Sequence, residues 1–182
     1  MRLRLGWLIM LARAFWSAIT MDRSAFLDDF VALLATHGIR YCVVGGQAVN
    51  AYVEPLVSLD LDLAVAVDHL PALQALLRGP YQVEPFPHSL NITARGSDLR
   101  VQIQLDPRYL DFPDRSTSRD VLGLSLPVAS LADVLQGKVW AATDPTRRVS
   151  KRQKDLADIA RLLEAYPFLR AHVPTEVLDK LL

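Results

Sequence analysis

The chain has 182 residues, 51% of them hydrophobic, and its 20 basic and 20 acidic side chains cancel to a formal net charge of zero. That length accommodates one domain with a real core and excludes a second independent enzyme domain. The composition excludes a disordered or collagen-like chain, and the balanced charge excludes a broadly basic surface for long nucleic acid. The basic residues that gather between Arg147 and Lys154 suit only a local, small nucleic-acid partner.

At the N-terminus, Arg2 and Arg4 precede an apolar stretch from Leu5 to Leu11, superficially like a signal peptide. Arg13 interrupts it, and the stretch is too short for a bilayer, which needs about 20 apolar residues. The expected organisation is therefore an extension over 1–20, a true start at Met21, a single domain over 21–182 that turns helical from about residue 130, and no membrane association. The single cysteine, Cys42, lies in an apolar run. It reads as a core thiol of a cytoplasmic, reducing compartment.

In chain order, Phe26, Phe30, Leu33 and Leu34 recur at helical spacing between Asp22 and His37, with Asp22 or Ser24 as cap and Gly38 as stop. Ile39 to Val44 reads as a short buried strand that runs into Gly45-Gly46 and a helical piece, Gln47 to Tyr52, stopped by Pro55. From Val57 to Val67 the pattern alternates: Leu59, Leu61, Leu63, Val65 and Val67 take one face, and Asp60, Asp62, Ala64 and Ala66 the other. A helix from about His69 to Arg78 follows. Strands are then expected over Tyr81 to Phe86, Leu90 to Ala94 and Leu99 to Leu105, the last two joined by a turn at Gly96-Ser97-Asp98. The remainder reads as helical. Ser130 caps a helix to about Ala142, with Asp133 three residues on as in a capping box, and a second helix runs from about Lys151 to Tyr166. The expected fold class is α/β (α+β), a mixed sheet with flanking and C-terminal helices.

Residues two apart on a strand point the same way, their Cα atoms about 6.6–6.8 Å apart, so Asp60 and Asp62 can converge on a cation. Two adjacent unpaired carboxylates repel, and a divalent ion removes that cost. Mg²⁺ suits the pair, because it takes one or two protein carboxylates together with substrate phosphates. A solvent-facing strand edge is the structural alternative. Gly45-Gly46, between a strand and a helix start, lets backbone N–H groups approach phosphate oxygens, although a double glycine is often only a tight turn.

The stretch VVGGQAVNAYVEPLVSLDLDLAV resembles the signature of the DNA polymerase β-like nucleotidyltransferase superfamily, a glycine turn followed about a dozen residues later by acid–x–acid. The stretch GKVWAATDPTRRVSKRQKDLADIARL resembles the Lys…Arg…Lys-Asp-x-x-Asp pattern of the AbiEii-like and MenT-like toxin nucleotidyltransferases. The resemblance implies that Gly45 and Gly46 hold the triphosphate, that Asp60 and Asp62 hold the metal, that Lys138 meets the nucleotide phosphates, and that Asp155 completes the active centre, orienting the acceptor or acting as base. Read from their own place in the chain, Arg147, Arg148 and Lys151 are either a solvated loop or, beside an acidic metal site, the groups that receive a nucleotide or an RNA end. Many superfamily members carry a third carboxylate on a later strand. Here that strand reads Arg100 to Asp106, with Gln102, Gln104 and Asp106 on one face. The third ligand position is therefore expected to be glutamine, with Asp106 as a displaced substitute.

Lys138 shares a helical stripe with Leu131, Val134, Leu135 and Ala142, so it needs an anion or must snorkel to water. Asp155 and Asp158 share a helix face, and spacing alone favours a solvated one with i,i+4 pairs Lys151–Asp155 and Lys154–Asp158. His37, His69, His88 and His172 lack metal spacing. The expected function is transfer of a nucleoside monophosphate from an NTP to a hydroxyl of a tRNA end, a protein or a small molecule, in a toxin paired with an antitoxin. The rival is a catalytically degraded nucleotide-binding or partner-binding module.

Overall fold

The computed structural model describes residues 23–181 apart from 59, 80, 96 and 98. The expected extension and Met21 start, the cap at Asp22, the place of Leu59 in the alternating row, and Gly96 and Asp98 of the expected turn all lie outside the described residues. No helix among the described residues is long and apolar enough to cross a membrane.

Helix α1 (Arg23–Thr36) forms where the sequence places apolar side chains on one stripe. It buries Phe26, Leu27, Phe30 and Leu34, each worth about 1.5–3 kcal/mol when fully removed from water. Gly38 ends it with a left-handed φ of +60°, which turns the chain into β1 (Tyr41–Val44). Next come α2 (Gly45–Asn50), β2 (Asp60–Val65), a 3₁₀ turn with α3 (Leu70–Leu76), and the strands β3 (Gln82–Phe86), β4 (Ser89–Thr93) and β5 (Arg100–Gln104). The chain then forms β6 (Thr117–Val121) and β7 (Leu124–Val128), α4 (Leu131–Thr143), α5 (Val149–Ala165) and a short α6 (Thr175–Leu178).

The strands make one seven-stranded mixed sheet in the order β3-β4-β5-β2-β1-β7-β6. β2 pairs antiparallel with β1 and parallel with β5. The acid-bearing strand is therefore the middle of the sheet and not an edge. The alternation expected there holds for Leu61, Leu63 and Val65, but Ala64 and Ala66 are buried as well, so the acid face opens only at the N-terminal half of β2.

One expectation fails outright. Residues 117–128 form the β6–β7 hairpin, where helices alone were expected beyond β5. Its two-residue loop, Leu122-Gly123, has positive φ at both positions (56° and 83°), the geometry that matches the twist of paired strands. Such loops are recognised by Asn-Gly or Asp-Gly, and leucine in the left-handed region hides this one. The helical expectations downstream hold. Ser130 caps α4, its hydroxyl accepting from Asp133 N at 3.2 Å and donating to Asp133 Oδ2 at 2.7 Å.

Candidate active site

The glycine turn and the acid strand are one structural unit. β1 and β2 pair so that Val44 lies opposite Asp62, and the next residue, Gly45, has φ +65°. A Cβ at Gly45 would lie 2.1 Å from Asp62 Oδ2, so only glycine lets the backbone pass over that carboxylate. α2 then pegs the loop that returns to β2. Gln47 Nε2 donates to Ser58 O at 2.9 Å, Asn50 Nδ2 donates to Leu56 O at 2.7 Å, and Leu56 N donates to Asn50 Oδ1 at 3.0 Å.

The parallel pairing of β2 with β5 sets Asp60 beside Arg100 and Asp62 beside Gln102. The two acids consequently differ. Asp60 is not an unpaired carboxylate, as the sequence suggested: Arg100 holds it through Nε at 3.2 Å and Nη2 at 2.9 Å. Asp62 has no such partner. Burial pushes its carboxyl above the usual range, the charge of Lys138 pulls it back, and Asp60 raises it further. Gln102, beside Asp62, continues on β4 into Asn91, with which it pairs.

Asp106 stands apart from the acid pair. It caps the 3₁₀ turn Pro107–Tyr109, accepts from Arg108 N at 3.0 Å and binds the Arg108 guanidinium at 2.6 Å, contacts that hold its carboxyl below the usual range. Among the described residues no group of three or more His, Cys, Asp or Glu side chains comes together as a metal-binding cluster. Cys42 is fully buried, its thiol pushed up to about 12 chiefly by that burial, as a core residue requires.

The helical acids overturn the surface expectation. Asp155 is 2% exposed and Asp158 3%, and neither pairs with Lys151 or Lys154. Both instead face Lys138, itself 6% exposed, whose Nζ lies 3.0 Å from Asp155 Oδ1 and 2.7 Å from Asp158 Oδ2. Lys138 therefore does not snorkel. Burial works against its charge, but the two aspartates outweigh burial and raise its pKa.

Arg147 is not a solvated loop residue. Its Nε reaches Asp155 Oδ2 at 2.6 Å, so both Asp155 oxygens are engaged by cations. Asp155 thus bridges Lys138 and Arg147. Arg161, which sequence reasoning missed, closes the network. It binds Asp158 Oδ1 at 2.7 Å, Asn50 Oδ1 at 3.0 Å and the Glu54 carbonyl, tying α5 to the loop below the glycine turn. Its only sequence signal was i,i+3 spacing from Asp158.

These elements enclose a cleft with two lobes that share Asp62, Gln102, Lys138, Arg147 and Asp155. The larger, about 710 Å³, is walled by Tyr109, Phe112 and Trp140, with the Arg108 guanidinium 4.8 Å from the Trp140 ring. The smaller, about 440 Å³, contains Gly46, Ser58 and Asp60 and is rimmed by Arg148, Lys151 and Lys154. Lys151, expected at the nucleotide, thus belongs to the basic lobe. Of the expected site residues, Gly45 and Asp106 stay outside that lobe and line the larger one instead.

A mixed sheet whose central strand carries an acid pair beneath a glycine turn, capped by a helix that offers a buried lysine, is the architecture of a nucleotidyltransferase. The family model for "Nucleotidyl transferase AbiEii toxin, Type IV TA system" matches residues 79–182, more than half of the chain, and the chain belongs to that family. It is a nucleotidyltransferase of a toxin family, an enzyme class that passes a nucleoside monophosphate from an NTP to an acceptor. The match takes in Lys138, Asp155 and Asp158 but begins after the acid pair.

Solved structures of like fold include the antibiotic-resistance factor ANT(2'')-Ia in solution, at 13% identity and a TM-score of 0.52 over 86% of this chain and 94% of that one. The same factor in complex with adenylyl-2"-tobramycin matches at 12% identity and 0.52, over 81% and 97%. An antigenic nucleotidyltransferase-like protein from Paracoccidioides brasiliensis matches at 18% identity and 0.54, over 80% and 77%. At these identities the likeness is one of fold. No curated protein matches the chain.

Proposed function

We propose that this chain transfers a nucleoside monophosphate from an NTP to a hydroxyl, using Mg²⁺ held by Asp60 and Asp62, in the cytoplasm, as the toxin of a pair checked by an antitoxin. The observation that carries the reading is the Asp62 carboxylate, pressed under Gly45 at the junction of both lobes and facing the buried Lys138 ammonium. The donor set fits the ion: two carboxylates at the cleft floor suit Mg²⁺, which completes its shell with water and phosphate oxygens. When bound, the ion would neutralise charge on the transferred phosphoryl group and lower the pKa of the attacking hydroxyl.

The chain's own groups do the rest. Gly45 and Gly46 keep the backbone close enough to receive phosphate oxygens. Lys138, fixed by Asp155 and Asp158, offers positive charge where charge develops, without needing to reorganise at the moment of reaction. Asp155 acts through Lys138 and Arg147, and Arg147 with Lys151 extends the positive wall towards the nucleotide or an RNA end. The acceptor is a tRNA end, a protein hydroxyl or a small molecule.

The test is incubation of purified protein with Mg²⁺, each α-labelled NTP and a mixture of total tRNA and cell extract, beside an Asp60→Asn, Asp62→Asn variant. Label transfer that requires the two aspartates identifies the acceptor class. The presence of Gln102 at the third-carboxylate position favours a second reading, a non-catalytic nucleotide-binding module. A folded protein that binds NTP and transfers no label, with any NTP, would establish it.

A further inference from the structure

Of the two lysines in the quoted Lys…Arg…Lys-Asp-x-x-Asp pattern, Lys138 is already engaged by two buried aspartates. The negative charge of a triphosphate tail therefore needs another cation. Lys154 supplies one. On a solvated helix it would pair with Asp158 four residues on, but Asp158 is buried and turned to Lys138 and Arg161. Among the described residues Lys154 makes no ion pair, and neither do Arg148 and Lys151 on the same rim.

Its ammonium lies over the glycine turn. A Cβ built on Gly46 would sit 3.9 Å from Lys154 Nζ and 3.6 Å from Ser58 Oγ, so the absent side chain leaves a gap about one methyl wide between the backbone, a hydroxyl and an ammonium. A phosphate oxygen is of that size. The same ammonium shares this lobe with the Asp62 carboxylate. Among the described residues the lobe around it carries three cations without an ion pair, whereas Asp60 and Asp155 on its walls are both already paired.

We infer that Lys154 is the tail clamp of this site: with Ser58 and the Gly46 backbone it binds the β- and γ-phosphates, and so selects a triphosphate over shorter nucleotides. The inference rests on the nucleotidyltransferase reading and adds a residue to it. Lys154 contacts the departing pyrophosphate, whereas Lys138 serves the phosphoryl group that is transferred.

The test is calorimetric titration, without turnover, of full-length wild type, Lys154→Gln and Lys154→Arg with each NTP, the matching NDP and NMP, and inorganic tripolyphosphate, all with Mg²⁺. The loss of one charge-assisted contact in Lys154→Gln is expected to weaken NTP and tripolyphosphate binding by about tenfold. NMP binding should change less than about twofold, and Lys154→Arg should recover most of the loss. An equal loss for NMP, or an undiminished affinity of Lys154→Gln for tripolyphosphate, overturns the clamp while leaving the nucleotidyltransferase reading in place. Wild-type protein that binds neither NTP nor tripolyphosphate overturns both.

Discussion

Two pairs of aspartates frame this cleft, and they serve opposite ends. Asp60 and Asp62, two apart on a central strand, point into the cleft, and one of them has no partner; Asp155 and Asp158, three apart on α5, are buried and bind Lys138, Arg147 and Arg161. Asp60 is held by Arg100, and Asp62 is left open to the cleft. The second pair holds a lysine still. Like-charged pairs of equal sequence prominence thus divide into one that lines the cleft and one that is buried around Lys138, and burial decides which is which.

Lys138→Met breaks the second pair most severely, because it leaves two carboxylates buried without their common cation. It is expected to destabilise the fold by about 3–5 kcal/mol, read by urea denaturation. A midpoint unchanged from wild type would show that the network contributes little and that the contrast is wrong. Asp62→Asn should do the reverse. It removes a buried charge without orphaning a partner, so the melting temperature should be no lower than wild type while label transfer falls about a thousandfold. A large loss of stability would mean that Asp62 is also a structural ion.

Gly45→Ala sharpens the same point from the backbone side. With φ at +65° and a methyl directed into Asp62 Oδ2, it should cost about 1–3 kcal/mol and depress transfer by displacing that carboxylate. Gly46→Ala, whose Cβ meets only ordinary contacts, should fold like wild type. The smallest effect is expected far from the cleft. Leu122→Asn, in the left-handed position of the β6–β7 turn, should raise stability by about 1 kcal/mol, and a decrease would show that the leucine side chain earns its place by packing.

The local features were legible because they depend on near neighbours in sequence. The period-2 row around Asp60 and Asp62, the Gly45-Gly46 turn, the Ser130–Asp133 cap and the stripe bearing Lys138 all report geometry within a few residues. The β6–β7 hairpin was missed because its turn uses leucine where the backbone asks for glycine or asparagine. The Asp155–Asp158 face was misread because i,i+4 lysines on the same helix offered partners, and nothing in the spacing reveals that α4 brings a better one.

By itself, the amino-acid sequence determined the mixed α/β class, the strand that carries the acids and the glycine needed beside them. Only the tertiary structure decided which charges meet. The parallel register of β2 and β5 gave Arg100 to Asp60, and the packing of α5 on α4 drew Asp155 and Asp158 inward to Lys138, leaving Lys154 unpaired over Gly46. Hydrogen-bond ladders and helical periods are short-range and repeat along the chain. Charge pairing in a low-dielectric interior depends on which surfaces close over each other, and the chain spacing of the residues does not record that.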